Sequence, residues 1–227
     1  SDPQQRLLLQ ESWNALEDAG YGQEDMSNKS IGMFVGAETG DYQGLASGSN
    51  ITSNHNAMLA ARLAYFLNLS GPVMSIDTTC SSALVALHQA CVNLRQHECD
   101  TAIVAGVNLC FALETYQTLS HAGMLSPDGK CFTFDKRANG MVPGEAVVAV
   151  VLKPLSQAIA DGDPVYASIR GSGLNYDGKT NGITAPSGTA QTALLKQVYE
   201  QAQVDVEHID YIVAHGTGTQ LGDPIEL

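Results

Sequence analysis

The sequence predicts an α/β fold in which helices pack over a sheet. Short apolar runs bounded by glycines or turn residues recur along the chain, and stretches with apolar residues at helical spacing alternate with them. The run AVVAVVL at 146–152 carries no polar residue, the pattern of a central strand covered on both faces. No fixed-period repeat or low-complexity linker divides the chain.

Asp2 followed by Pro3 predicts a helix start, a capping side chain and then a residue whose φ already suits the first turn. Leu9, Trp13 and Leu16 give that helix its stripe, and Gly20 ends it. Residues 31–35 form a short apolar strand between glycines, and 57–67 a helix with Leu59, Leu63 and Phe66 on one face. Residues 73–76 predict a strand; from Ser81, Leu84, Leu87, Ala90, Cys91 and Leu94 fall at the spacing of a buried helix. Residues 102–107 predict a strand, followed by loops with turn signals such as Ser126-Pro127-Asp128-Gly129. After the 146–152 strand come a short helix at 154–160, a strand at 165–171, a helix at 190–202 and a strand at 209–214.

With 227 residues, 44% of them apolar, the chain can bury a core in one large domain or two small ones. A formal charge of −13 with no basic stripe argues against a nucleic-acid partner. The cysteines at 80, 91, 99, 110 and 131 form no CxxC pair, and their odd number suggests neither a disulfide framework nor a zinc ribbon. A reducing, cytoplasmic setting is expected, with no membrane-length apolar run and no signal peptide. The chain begins without Met and stops at 223–227 as a helix is starting, so it reads as an excerpt of a longer polypeptide.

Cys80 stands between a predicted strand and a predicted helix. Free N–H groups and the dipole of a helix N-terminus favour a thiolate there, and the same N–H groups can hold an oxyanion. The alternative is a buried, inert thiol. After the strand YIVA comes HGTGTQLGD, which puts His215 at a strand end and offers Thr217 and Thr219 as exposed hydroxyl donors. Here the alternative is a glycine-rich turn with a structural histidine; a phosphate cradle at this stretch would need a G-K-[ST], and HGTGTQLGD contains none. A Cys and a His at two strand ends are the minimum for thiol-based acyl chemistry.

IDTTCSSALVALHQAC, LSPDGKCFTFD, GSGLNYDGKTNGITAPSG, HGTGTQLGDPIE and the opening DPQQRLLLQESWNALEDAG resemble the ketosynthase (beta-ketoacyl synthase) domains of modular polyketide synthases. PGEAVVAVVLKPL and NYDGKTNGITAPSG are similar to systems whose acyltransferase is a separate protein. The resemblance implies a thiolase-like layered α-β-α-β-α fold with its C-terminal half truncated. Residues 1–154 would be the N-terminal half with the nucleophile, and 155–227 the incomplete start of the C-terminal half.

On this pattern Cys80 accepts an acyl chain from the phosphopantetheine thioester of an acyl carrier protein. A malonyl-type extender then loses CO₂ and its carbanion attacks the Cys80 thioester. His215 would donate to the extender's thioester oxygen, Thr217 and Thr219 would contact the pantetheine arm, and Glu226 would support the site. The resemblance implies a homodimer within a larger synthase, with no permanently bound cofactor and no metal. The family's second histidine, its lysine and a glycine-rich loop would lie downstream of Leu227, so the excerpt alone is expected neither to fold well nor to condense substrates. Thr79 stands where alanine is commoner, and Ala146 where glycine is frequent.

Three rival readings are a ketosynthase that only passes chains on, a thiol hydrolase using Cys80 and His215, and a metal-binding scaffold. The last would rest on His88, Cys91, His97 and Cys99, whose spacing is not a familiar zinc pattern.

Overall fold

In the computed structural model, Ile31–Gly36 (β1), Val73–Ile76 (β2), Thr101–Asn108 (β3) and Ala146–Leu152 (β4) form one sheet in the order β2-β1-β3-β4. The structure describes residues 2–22, 26, 29–45 and 51–227. β1 pairs in parallel with both β2 and β3, and β4 runs antiparallel to β3. The helices are Pro3–Asp18 (α1), Tyr42–Leu45 (α2), Ile51–Asn54 (α3), Ala57–Phe66 (α4), Ser82–Arg95 (α5), Leu113–His121 (α6), Leu155–Asp161 (α7), Gly188–Ala202 (α8) and Gly222–Glu226 (α9). The chain divides into two compact units, 1–112 with 144–168, and 113–143 with 169–227.

The first unit has helices on both faces of its sheet. Side chains alternate along each central strand. Met33 and Val35 of β1 and Ile103, Ala105 and Val107 of β3 join Leu8, Leu16, Leu59 and Leu63 of α1 and α4 in one core. Phe34, Ala102 and Val104 face the other way and meet Ala86, Ala90 and Leu94 of α5. α1 starts as its sequence predicts: Asp2 accepts a hydrogen bond from the Gln4 N–H at 2.8 Å, with Pro3 next in the chain, and Gly20 takes φ +82° beyond its end. Lys153, just after β4, donates to Asp161, Asp163 and the Tyr21 hydroxyl. Burial pushes that ammonium down, but the three hydrogen bonds outweigh it and hold its pKa above the ordinary lysine value.

Several expectations are corrected here. β4 is an edge strand, not a central one: Val147, Ala149 and Val151 pack on the core, while Val148 and Val150 are exposed. An all-apolar run reports that its residues avoid water, not where in a sheet they lie. The expected strands at 165–171 and 209–214 form no ladder among the described residues, and Tyr166, Tyr211, Ile212 and Val213 are exposed. β-propensity favours a strand only where a partner supplies the cross-strand contacts. Phe66 and Leu84 are exposed, not on buried faces. Leu67 closes the α4 stripe in place of Phe66, and α5 meets the sheet through small residues such as Ser82, Ala86 and Ala90. α6 falls within a stretch that the sequence reads as loop.

In the second unit, α8 is capped by Ser187, whose hydroxyl accepts from the Ala190 N–H at 3.2 Å. The segment 171–173 lies against it closely enough that a Cβ on Gly173 would stand 2.6 Å from Val198 Cγ2. The predicted turn at 126–129 is present, closed by Gly129 N–H donating to the Ser126 carbonyl at 3.2 Å.

Candidate active site

Cys80 is exposed, beyond the C-terminal end of β2 and immediately before Ser81, which stands at the N-cap position of α5. The helix start is held tightly to the sheet. Gly36 ends β1 and pairs in register with Gly106 of β3. A Cβ on Gly36 would stand 2.3 Å from both Ala83 N and Ser82 C, and one on Gly106 would stand 2.8 Å from Ala83 Cβ. Two side-chain-free positions side by side thus form the seat for the first turn of α5. The approach fixes where the turn bearing Cys80 emerges, at the carboxyl ends of parallel strands where sheet-based sites open.

The turn itself is strained. Thr79 has φ +55°, a left-handed conformation that a β-branched residue adopts at a steric cost. Its N–H donates to Asp77 Oδ1 at 3.2 Å. Ser82, only 4% exposed, accepts from the Thr78 N–H at 2.9 Å and donates through its hydroxyl to the Thr79 carbonyl at 2.6 Å. The exposed Ser81 hydroxyl donates to the Thr78 carbonyl, 2.9 Å away, and lies 3.0 Å from Thr78 Oγ1.

Two of the other cysteines differ in setting. Cys91 and Cys99 are buried in the first unit, and burial pushes the Cys99 thiol above its ordinary value against a hydrogen bond with the Gly32 backbone. Among the described residues no group of three or more His, Cys, Asp or Glu side chains could hold a metal ion.

The second unit gathers His215, Thr217, Thr219 and Glu226 into one loop-and-helix structure. The two oxygens of Glu226 accept the N–H groups of His215 and Gly216 at 2.8 and 2.7 Å. Asp223, 4% exposed, accepts from Gly218 N–H at 3.0 Å with one oxygen and from Phe134 N–H at 2.7 Å with the other. The Thr133 hydroxyl donates to the Gly216 carbonyl at 2.7 Å, and Gly140 N–H donates to the Gly218 carbonyl at 3.0 Å. Gly216 and Gly218 have φ +55° and +70°, and a Cβ on either would strike the 131–133 segment. The loop is therefore clamped from α9 by two carboxylates and from the other side by residues 131–140.

Thr217 and Thr219 are half-buried, where the sequence suggested exposed donors. Their hydroxyls lie 2.9 Å apart, and Thr219 Oγ1 accepts Gly222 N–H at 3.0 Å. Two hydroxyl protons share one mutual bond, so one donor remains free for a ligand. Cys80 stands in the first unit and these residues in the second. Asp223, Thr133 and Ser82 were not singled out from the sequence. Asp223 had a signal, an acid in the first turn of the GDPIE helix. The other two act through contacts that local pattern does not show.

Comparison with known proteins matches the model "Beta-ketoacyl synthase, N-terminal domain" to residues 1–158 and "Beta-ketoacyl synthase, C-terminal domain" to residues 166–227. The chain is 55% identical over its whole length to polyketide synthase ThaG of Burkholderia thailandensis and 50% identical to polyketide synthase PksM of Bacillus subtilis. It spans only 4% and 5% of the length of those two proteins. Among solved structures, the ketosynthase from module 6 of the bacillaene synthase of Bacillus subtilis aligns with a TM-score of 0.95 at 49% identity, covering all of this chain and 39% of that one. The oxazolomycin ketosynthase domain OzmH KS7 of Streptomyces albus aligns with a TM-score of 0.94 at 39% identity, covering 99% of this chain and 40% of that one. With both family models matched and the backbone superposing on solved ketosynthases, the chain belongs to the beta-ketoacyl synthase family and has its thiolase-like layered α/β fold.

Proposed function

We propose that this chain is part of a ketosynthase domain that elongates acyl chains within a large polyketide synthase. The observation that carries the reading is an exposed Cys80 on a strand–turn–helix seat within a region matched by the ketoacyl synthase N-terminal model. Cys80 sulfur attacks the thioester carbonyl of an acyl chain carried on phosphopantetheine, forming acyl-Cys80 and releasing the carrier thiol. A malonyl-type thioester then loses CO₂. The electron pair left on its α-carbon attacks the acyl-Cys80 carbonyl, and the Cys80 thiolate departs as the β-ketoacyl thioester forms.

Decarboxylation places negative charge on the extender's thioester oxygen, and His215 donates an N–H to it. Glu226 and Asp223 act on the loop rather than on the substrate, by fixing the backbone of His215, Gly216 and Gly218. The remaining hydroxyl donor of the Thr217–Thr219 pair holds the pantetheine arm.

The partners in this reading are an acyl carrier protein, further domains of the synthase and a second copy of the chain. Self-association is supported by β2, an outer strand whose Val73 and Met74 are part exposed, and by Tyr65 and Phe66 standing 90% and 61% exposed on α4, the helix packed on β2. An outer strand, unpaired on that side among the described residues, beside apolar side chains suits a symmetric interface. The division into halves at 154/155 belongs to the same reading, beside one family model that ends at 158 and another that starts at 166. So does a cytoplasmic location; among the described residues no helix is long and apolar enough to cross a membrane. A separately encoded acyltransferase is the subtype that the motif wording favours.

The test is product analysis. Full-length protein given an acyl thioester and a malonyl-loaded carrier protein is expected to release CO₂ and to yield a β-ketoacyl carrier longer by one extender unit. Transfer of the unchanged acyl chain without CO₂ loss would make it a non-elongating ketosynthase. Release of free acid would make it a hydrolase.

A further inference from the structure

We infer that Ser82 is a positioning residue for the nucleophile, its buried hydroxyl holding the backbone turn that presents Cys80. This inference rests on the reading of Cys80 as the acyl acceptor. Three observations lead to it.

Thr79 occupies a left-handed conformation, φ +55°, that threonine does not choose for itself. Strain of this kind persists only where the surroundings over-determine it. Asp77 Oδ1 accepts the Thr79 N–H at 3.2 Å, and Ser82 holds the Thr78–Thr79 pair from both ends. Its oxygen accepts from the Thr78 N–H at 2.9 Å and its proton goes to the Thr79 carbonyl at 2.6 Å. The Ser82 N–H donates to the same carbonyl at 3.1 Å. That carbonyl belongs to the peptide group whose nitrogen is Cys80's, so holding it fixes the amide plane from which the sulfur projects.

Ser82 is also placed so that its hydroxyl does nothing else. The residue is 4% exposed, so it is closed to substrate. Its own backbone is pinned against the sheet, because the Cβ that Gly36 lacks would fall 2.3 Å from Ser82 C and 2.4 Å from Ser82 O. A hydroxyl on an immovable base, bonded to both ends of the Thr78–Thr79 pair, transmits the position of the sheet to the sulfur. The exposed Ser81 hydroxyl, by contrast, reaches Thr78 and not the Thr79 carbonyl.

The test uses full-length protein and an acyl-N-acetylcysteamine thioester, following acyl mass on the peptide that contains Cys80. Ser82→Ala is expected to lower the maximal loading rate by about tenfold or more, because a small misplacement of a reacting atom is costly, with KM unchanged within about twofold. Ser82→Thr, which keeps the hydroxyl, is expected to recover most of the rate. The double variant Ser82→Ala with Thr79→Gly is expected to recover it as well, since glycine holds a positive φ without help. Thermal melts establish that each variant is folded. If Ser82→Ala does not fold, Ser82→Cys takes its place, similar in size and a weak hydrogen-bonder, with the same loss expected. A folded Ser82→Ala or Ser82→Cys protein that loads at the wild-type rate overturns the inference. So does a slow variant that neither rescue restores. Wild-type protein that takes no acyl group on Cys80 sinks the nucleophile reading itself, and this result is distinct from both.

Discussion

A His215→Ala form of the full-length protein is expected to accept an acyl chain on Cys80 yet condense it about a hundred- to a thousandfold more slowly than wild type, the usual cost of removing one oxyanion donor. The two half-reactions make different demands. Acyl transfer needs the sulfur and donors for a tetrahedral oxyanion at Cys80. Decarboxylation instead builds charge on the extender's thioester oxygen, and that is where the imidazole N–H acts. The substitution is also clean. Glu226 grips the N–H groups of His215 and Gly216, and Asp223 grips that of Gly218, all backbone groups that alanine retains. The loop should therefore keep its form while losing one donor. Acyl-enzyme is read by intact mass and condensation by product release. Condensation at the wild-type rate, or loss of acylation together with condensation, would remove His215 from this role.

Gly36→Val is expected to destabilise the protein by about 3 kcal/mol or more, the upper part of the range for overpacked cores. The reason lies in what surrounds the position. The atoms that a new Cβ would meet are Ala83 N at 2.3 Å, Ser82 C at 2.3 Å and Ser82 O at 2.4 Å, all backbone. No rotamer change can relieve such contacts, so the first turn of α5 must lift from β1. The helix covers the core formed by Phe34, Ala86, Ala90, Leu94 and Val104, so the movement also opens buried apolar surface to water. Against a net stability of roughly 5–15 kcal/mol for a domain, such a loss is large. Thermal unfolding of full-length Gly36→Val against Gly144→Ala measures it. A Cβ at Gly144 meets nothing within 4 Å, so that variant should melt close to wild type. Equal melting of the two would show that the seat beneath α5 yields more easily than its geometry implies.

Much of the architecture could be read from the chain because local chemistry and tertiary structure agree there. Asp2-Pro3 starts α1, and the apolar runs at 31–36 and 101–108 are strands whose two faces are both buried. The misreadings share one cause: composition reports burial preference, not partners. AVVAVVL is as apolar as a central strand, yet among the described residues it pairs with β3 alone, and Val148 and Val150 are exposed. Residues 165–171 and 209–214 have the β-branched and aromatic content of strands, and among the described residues they join no ladder. Leu84 fits a helical stripe, yet α5 turns a face of serine and alanine to the sheet, because glycines at 36 and 106 let it come so near.

The site divides in the same way. Cys80 stood out because the end of a strand and the start of a helix can be read on either side of it. His215 stood out because glycines at 216 and 218 mark a tight turn after an apolar run. What supports them was hidden. The clamp on the histidine loop joins Thr133 and Phe134 to residues 83 and 89 positions away in the chain. Ser82 looks like any helix-start serine until its two hydrogen bonds to the turn are seen.

The most direct test is peptide mapping of full-length protein after incubation with an acyl-N-acetylcysteamine thioester, with Cys80→Ala treated in parallel. The acyl mass should appear on the peptide that contains Cys80 and be absent throughout the variant. Acyl mass on Cys110 or Cys131 instead, or equal labelling of the alanine form, would contradict the account.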